Sequence, residues 1–364
     1  MLPATAGGTA PDGTNQLRLE RTVRYLQDVQ NLDGGYAGQA GGASDVMMTC
    51  WVAMALAAGG VHPRFQAKPG GTDAWAYIEQ HTKVYKQTTD YERTLLAAVA
   101  AGEDGRDVGG TDLIARILER QRPDGPNAGS ISQTPTGGPY INATAFAILS
   151  LSGTGDPATS QPVQRAADWL VDHQNANGSW GSASLSSPQD ADVTGAVIQA
   201  LVRAGRHGSD AEQRALDFLQ TMQNDDGGFG EVNPGEESNS ASTSWVVQGL
   251  WAAGIDPRTW SRAGGDPLAY LASLQQGDGS VVWKPSQPAA NPIWMTAYAA
   301  PAFAGLPLPV PAPPAPADPP EQPSTEDGPG ATQPDPTPGP GGFGGRGGGV
   351  IAGGGGRGAA LFSR

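Results

Sequence analysis

A unit of roughly fifty residues recurs six times along the first three hundred residues, and this recurrence limits the fold more than any other feature. Each unit begins with apolar residues at helical spacing, as in VRYLQDVQ and RALDFLQTMQ, and closes on a glutamine: Gln30, Gln80, Gln121, Gln174, Gln223 or Gln275. After five of these glutamines a glycine follows four residues later, at Gly34, Gly125, Gly178, Gly227 and Gly279. In three units an aromatic stands two residues beyond, at Tyr36, Trp180 and Phe229. Such a glycine can take the left-handed conformation that stops a helix, and the Asp and Asn before it favour a turn. A threonine then opens a second helix, at Thr49, Thr94, Thr144, Thr194, Thr243 and Thr296.

The two helices of a unit differ in character. The first carries charge on one face, for example Arg165, Asp168 and Asp172, and should lie outside. The second is Ala-rich and apolar nearly all round, as in TCWVAMALAAGG and TAFAILSLSG, and should be buried. Six such hairpins predict an all-α fold, an α6/α6 toroid with the apolar helices as inner barrel and the charged ones as outer layer. An open solenoid would need polar capping repeats at its ends. The last inner helix, MTAYAAPAFAG, is as apolar as the rest, which favours closure. The second unit lacks the turn, with Tyr85 and Tyr91 expected to fill the gap, and Pro301 should kink or shorten the last helix.

Composition divides the chain into a leader at 1–14, the toroid at 15–305, a Pro-rich linker at 306–340 and a Gly-rich disordered tail at 341–364. The net charge of -14, without a Lys/Arg cluster, argues against nucleic acid as a partner. No apolar run reaches the ~20 residues of a transmembrane helix. The small residues Ala4, Thr5, Ala6, Thr9 and Ala10 look like the cleavage end of a secretory signal that begins upstream. With the Pro-rich stalk, they predict an extracellular or cell-surface protein; a disordered leader on a cytoplasmic one is the alternative. Cys50, the single cysteine, leaves no internal disulfide and no multi-thiolate metal site.

The string QNANGSW, Gln174 to Trp180, resembles the QW motif of squalene and hopene cyclases. Repeated in phase with the six threonines, it makes residues 15 to 305 similar to the toroid that those cyclases share with protein prenyltransferase β subunits, thioester domains and cobalamin carriers. The resemblance implies different chemistry at each inner-helix start. Class II cyclases protonate an alkene or epoxide with an aspartate in a DxDDTA motif. Asp190-Ala191-Asp192-Val193-Thr194 aligns on its threonine, so Asp192 takes the place of the acid and Asp190 that of the first aspartate, while Val193 replaces the last. An aspartate here can equally cap its helix, and Asp45, Asn142 and Ser242 stand near the same point in other units. The zinc ligands of prenyltransferases have no counterpart, since Met48 stands where a His would be and Thr194 where a Cys would be. No cofactor and no metal are expected. His62, His81, His173 and His207 fall in turns or on outer helices, and Cys50 reads as a small buried apolar residue.

Aromatics stand two places after four of the threonines, at Trp51, Phe146, Trp245 and Tyr298, with Trp294 two places before Thr296. They either line the mouth of a central funnel for an apolar ligand or pack as ordinary core between the two helical layers. The reading the sequence favours is a non-catalytic toroid that binds an apolar or corrinoid-like small molecule at that mouth. The alternatives are a class II cyclase-like isomerase, in which Asp192 assisted by Asp190 protonates an isoprenoid polyene, and a protein-interaction scaffold.

Overall fold

The computed structural model describes residues 13–181, 188–263 and 265–316. The expected Gly-rich tail, most of the Pro-rich stretch and nearly all of the leader therefore lie outside the described residues. Among the described residues the chain forms α1 (Gly13–Asp28), α2 (Val46–Ala58), α3 (Ala74–Gln80), α4 (Thr88–Ala101), α5 (Leu113–Leu118), α6 (Ile141–Gly153), α7 (Ser160–Asp172), α8 (Ala191–Arg203), α9 (Asp210–Met222), α10 (Ser240–Ala252), α11 (Pro267–Ser273) and α12 (Pro292–Ala304). The even-numbered helices are the inner barrel. Each packs on the next, and α12 packs on α2, so the ring is closed as expected. Small residues let these helices approach: a Cβ on Gly195 of α8 would lie 2.6 Å from the Trp245 carbonyl oxygen of α10.

The glutamine and glycine form the joint between neighbouring units. The Gln174 amide donates to the carbonyl of Gly178 at 2.7 Å and to that of Ala211, on the next outer helix, at 2.8 Å. Gly178 has φ +88°, and a Cβ there would meet the Arg214 carbonyl oxygen at 2.2 Å. The last joint closes the ring, because Gln275 donates to the Arg18 carbonyl of α1 and Gly279 lies against Arg21. Five of the six threonines tie turn to helix. Thr194 Oγ1 donates to the Asp190 carbonyl at 2.7 Å and accepts the Trp180 backbone N–H at 3.2 Å. Trp180 is fully buried, with its indole N–H on the Leu170 carbonyl.

Three local expectations change. In the third unit the joint glycine is Gly129 rather than Gly125: Gln121 donates to the Gly129 carbonyl, Gly129 lies against Arg165, and Ile131 fills the aromatic position. Four inserted residues displace the spacing seen elsewhere. Helix α12 runs through Pro301 to Ala304 and stops at Gly305, φ 68°, because the flanking ring supports it although one N–H is missing. The segment beyond residue 305 does not begin as a free linker. Leu308 and Val310 are buried, the Leu308 N–H donates to Gln199 Oε1 at 2.9 Å, and Pro309 lies where a Gly153 Cβ would be 3.0 Å away. Apolar side chains among the prolines let this stretch cover the C-terminal ends of the inner helices. In the second unit Tyr85 does replace the missing turn, accepting from Thr94 Oγ1 at 2.6 Å and packing edge-on to Tyr91.

Candidate active site

Residues four apart share a helix face, and the inner barrel uses this to stack two layers on its axis. The lower layer contains the aromatics two places after each threonine. Trp51, Phe146 and Trp245 come from helices that are not neighbours in the ring, yet their ring centroids lie 5.5–6.3 Å apart. Tyr298 joins them at 5.0 Å from Trp51 and 5.2 Å from Trp245. The rings meet edge to face, the arrangement their quadrupoles favour. These residues therefore neither ring an open mouth nor pack between helical layers; they fill the axis as a floor. Trp294, one turn above Tyr298, meets it edge to face at 5.9 Å.

The upper layer, two places before each threonine, holds Met47, Glu92, Asn142, Asp192, Ala241 and Trp294. Its polar members sit on the consecutive inner helices α4, α6 and α8, facing an apolar half. Asp192 is 5% exposed, and its Oδ1 has no hydrogen-bond partner among the described residues. Burial pushes its carboxyl well above the usual range, the charges of Asp190 and Glu231 add to this, and the Ser242 hydroxyl pulls the other way. Its surroundings thus favour the protonated form.

Asp190 has a different place. It is the N-cap of α8, accepting the Val193 N–H at 3.0 Å, as Asp45 caps α2 and Asn239 caps α10. Burial raises its carboxyl to about 7 against the pull of that N–H, with the Glu231 charge adding to the rise. Asn142 and Ser242 are not at the cap position but lie two and three residues further into their helices.

Glu92 is the site residue that the sequence reading missed. It is fully buried, both carboxylate oxygens lack a hydrogen-bond partner among the described residues, and burial pushes it well above the usual carboxylate range against the Arg93 charge. Its register, two before Thr94 as Asp192 is two before Thr194, was available in the sequence. The irregular second unit obscured it. Cys50 is buried with its thiol 3.7 Å from Thr94 Oγ1, and burial raises it to about 12, so it is no thiolate.

Two family models match this chain: the squalene-hopene cyclase C-terminal domain over residues 77–232 and the prenyltransferase alpha-alpha toroid domain over residues 4–91. Together these matches reach from residue 4 to residue 232, and both are to domains of the α/α-toroid kind that the described residues form. Drimenyl diphosphate synthase of Streptomyces showdoensis is 31% identical over 189 residues, covering 49% of this chain and 34% of that protein. Its counterpart from Streptantibioticus cattleyicolor is 40% identical over 68 residues, 18% of this chain and 13% of the other. The chain thus spans about a third or less of these curated relatives. Among solved structures, the type II terpene cyclase MstE from Scytonema superposes with TM-score 0.58 at 17% identity, covering 80% of this chain and 98% of that one. Candida albicans protein geranylgeranyltransferase-I complexed with GGPP gives 0.54 at 10%, covering 78% and 90%. At these identities the two structures establish the fold alone. The sequence relatives are terpene cyclases, which favours the cyclase alternative over a non-catalytic binder.

Proposed function

We propose that this toroid is a class II cyclase-type domain that seats the alkene end of an isoprenoid chain on its aromatic floor and protonates it through Asp192. The observation that carries this reading is the buried carboxyl of Asp192, its protonated form favoured by desolvation, one turn above four aromatic rings. A carboxyl that gives a proton to carbon must be neutral and shielded from water. The cation that results needs electron-rich faces and no nucleophile, and a desolvated ring cluster supplies both. Asp190 acts here as a positioning residue: its cap fixes the first turn of α8 and so the direction of Asp192. Val193, where the cyclase motif has a third aspartate, removes one partner of the acid, leaving Ser242 and the Asp190–Glu231 pair to tune it.

The isoprenoid class is supported by the relatives rather than by the floor alone. A second MstE structure, 16% identical and with TM-score 0.57, is described with geranylgeranyl dihydroxybenzoate as substrate. Binding without turnover is the second reading, favoured by Val193 and by the contact among the floor rings. Incubation of the purified protein with farnesyl diphosphate, geranylgeranyl diphosphate and squalene separates the two. The cyclase reading expects a cyclised product that Asp192→Asn reduces at least 100-fold while leaving ligand retention intact. Retention of the polyene with no product from the wild-type protein would support the binder instead.

A further inference from the structure

We infer that Glu231 is the proton entry of the site, taking a proton from solvent and passing it inward to Asp192 between turnovers. This rests on the cyclase reading of Asp192 and adds the route by which the spent acid is renewed.

An acid that gives its proton to carbon ends each turnover as a carboxylate, and Asp192 is badly placed to recover unaided. It is buried, its Oδ1 has no hydrogen-bond partner among the described residues, and an ionised carboxyl in such a place is costly. Asp190 faces its own helix, accepting the Val193 N–H at 3.0 Å. The loop that follows α9 supplies what α8 lacks. The Ala191 N–H donates to the Glu231 carbonyl at 2.8 Å, and the Gln189 side chain donates to the Val232 carbonyl at 3.1 Å. Glu231 is thereby tied to the residue between the two aspartates, both of which feel its charge. It is itself only partly buried, so it reaches from the site to solvent. The repeat fixes this contact but not the carboxyl. The first residues of α10 and α4 donate in the same way, Ser240 to the Trp283 carbonyl at 2.7 Å and Thr88 to that of Gln133 at 2.9 Å.

Two further glutamates of the same loop are pinned as anions. Glu236 accepts the Val232 N–H at 2.9 Å and the Asn233 side-chain amide at 2.6 Å. Burial alone would raise Glu236, but these bonds outweigh it and hold the carboxyl below the usual range. Glu237 is held below that range first by the Ser286 hydroxyl at 2.5 Å, then by the Ser286 N–H and Lys284. Glu231 goes the other way: burial raises it, the Glu236 charge adds to the rise, and Lys284 opposes it. A carrier must bind and release a proton in turn, which the two pinned anions do not do. Solvent protonates the Glu231 carboxylate, the Glu231 acid gives that proton to the Asp192 carboxylate, and Glu231 is left ionised for the next. Burial deepens from Glu231 to Asp192, so the proton comes to rest on Asp192. One proton enters by this route for each one that Asp192 delivers to an alkene.

The test separates the first turnover from those that follow, by rapid quenching of the full chain with geranylgeranyl diphosphate as probe. On the cyclase reading Asp192 starts protonated, and loss of the Glu231 charge makes it the stronger acid. The first turnover of Glu231→Gln should therefore be no slower than that of wild type. Later turnovers should fall at least ten-fold below wild type, and imidazole, a small proton carrier that titrates near neutral pH, should restore them. Glu231→Ala is expected to behave alike and serves alone if the Gln variant fails to fold. A structural role of Glu231 would slow first and later turnovers together, with no recovery in imidazole, and that result overturns the relay. Later turnovers at the wild-type rate overturn it as well. Absence of any cyclised product from wild type overturns the relay together with the cyclase reading.

Discussion

Replacing Asp190 with Asn keeps the cap of α8 and removes a buried charge, which separates the structural task of this residue from its ionisation. Asn is as good an N-cap as Asp, so the bond to the Val193 N–H, 3.0 Å long, should survive. The carboxyl is 3% exposed and raised by burial from 3.8 to about 7. A folded carboxyl that keeps its proton to higher pH than the unfolded one binds more protons in the folded state between those limits. Stability therefore falls as pH rises from about 4 to about 7. At 1.36 kcal/mol per pK unit, roughly three units amount to about 4 kcal/mol that Asp190 costs above neutrality. Urea midpoints of wild type and Asp190→Asn between pH 5 and 8.5 measure this. The variant should be ahead by about 1.6 kcal/mol at pH 5 and by up to about 4 kcal/mol at pH 8. Asp192, Glu231 and Glu236 remain in both proteins, so the difference isolates Asp190 and its push on Asp192. A variant less stable than wild type at every pH would refute the reasoning, because the ionised carboxylate would then be a favourable cap.

Two other perturbations test the frame around the site. Gly178→Ala forces a φ of +88° on a residue with a Cβ and sets that Cβ 2.2 Å from the Arg214 carbonyl oxygen, so it should cost about 3 kcal/mol or more in chemical denaturation. Leu308→Ala should cost about 3 kcal/mol, since Leu308 is 2% exposed; a loss below about 0.5 kcal/mol would mean that the segment after α12 does not seal the barrel.

Much of the fold was legible because the repeat is a set of hydrogen bonds written in residue types. Gln needs both its own turn carbonyl and that of the next outer helix, Gly must make room for the latter, and Thr must both donate and accept. Most other residues at these places would lose a bond or clash with the neighbouring carbonyl, so the pattern shows in the letters. Gly129 shows the limit: spacing pointed to Gly125, but it is the carbonyl beside Arg165 that defines the joint. The site was only half visible. Asp192 could be found by alignment on Thr194, while Glu92 lay in the unit whose turn is missing. The aromatics were recognised, but spacing along one helix carries no information about contact across the ring. Leu308 and Val310 were hidden by composition, because the prolines around them dominate the stretch.

The central claim, proton transfer from Asp192 to the terminal alkene, is tested most directly by turnover of geranylgeranyl diphosphate in deuterium oxide. Proton exchange at a buried carboxyl between turnovers should place one deuterium, in every cyclised molecule, on the carbon that was the =CH of the terminal alkene, and Asp192→Asn should abolish labelled product. Cyclised product without deuterium at that carbon, or with undiminished yield from Asp192→Asn, would contradict the account.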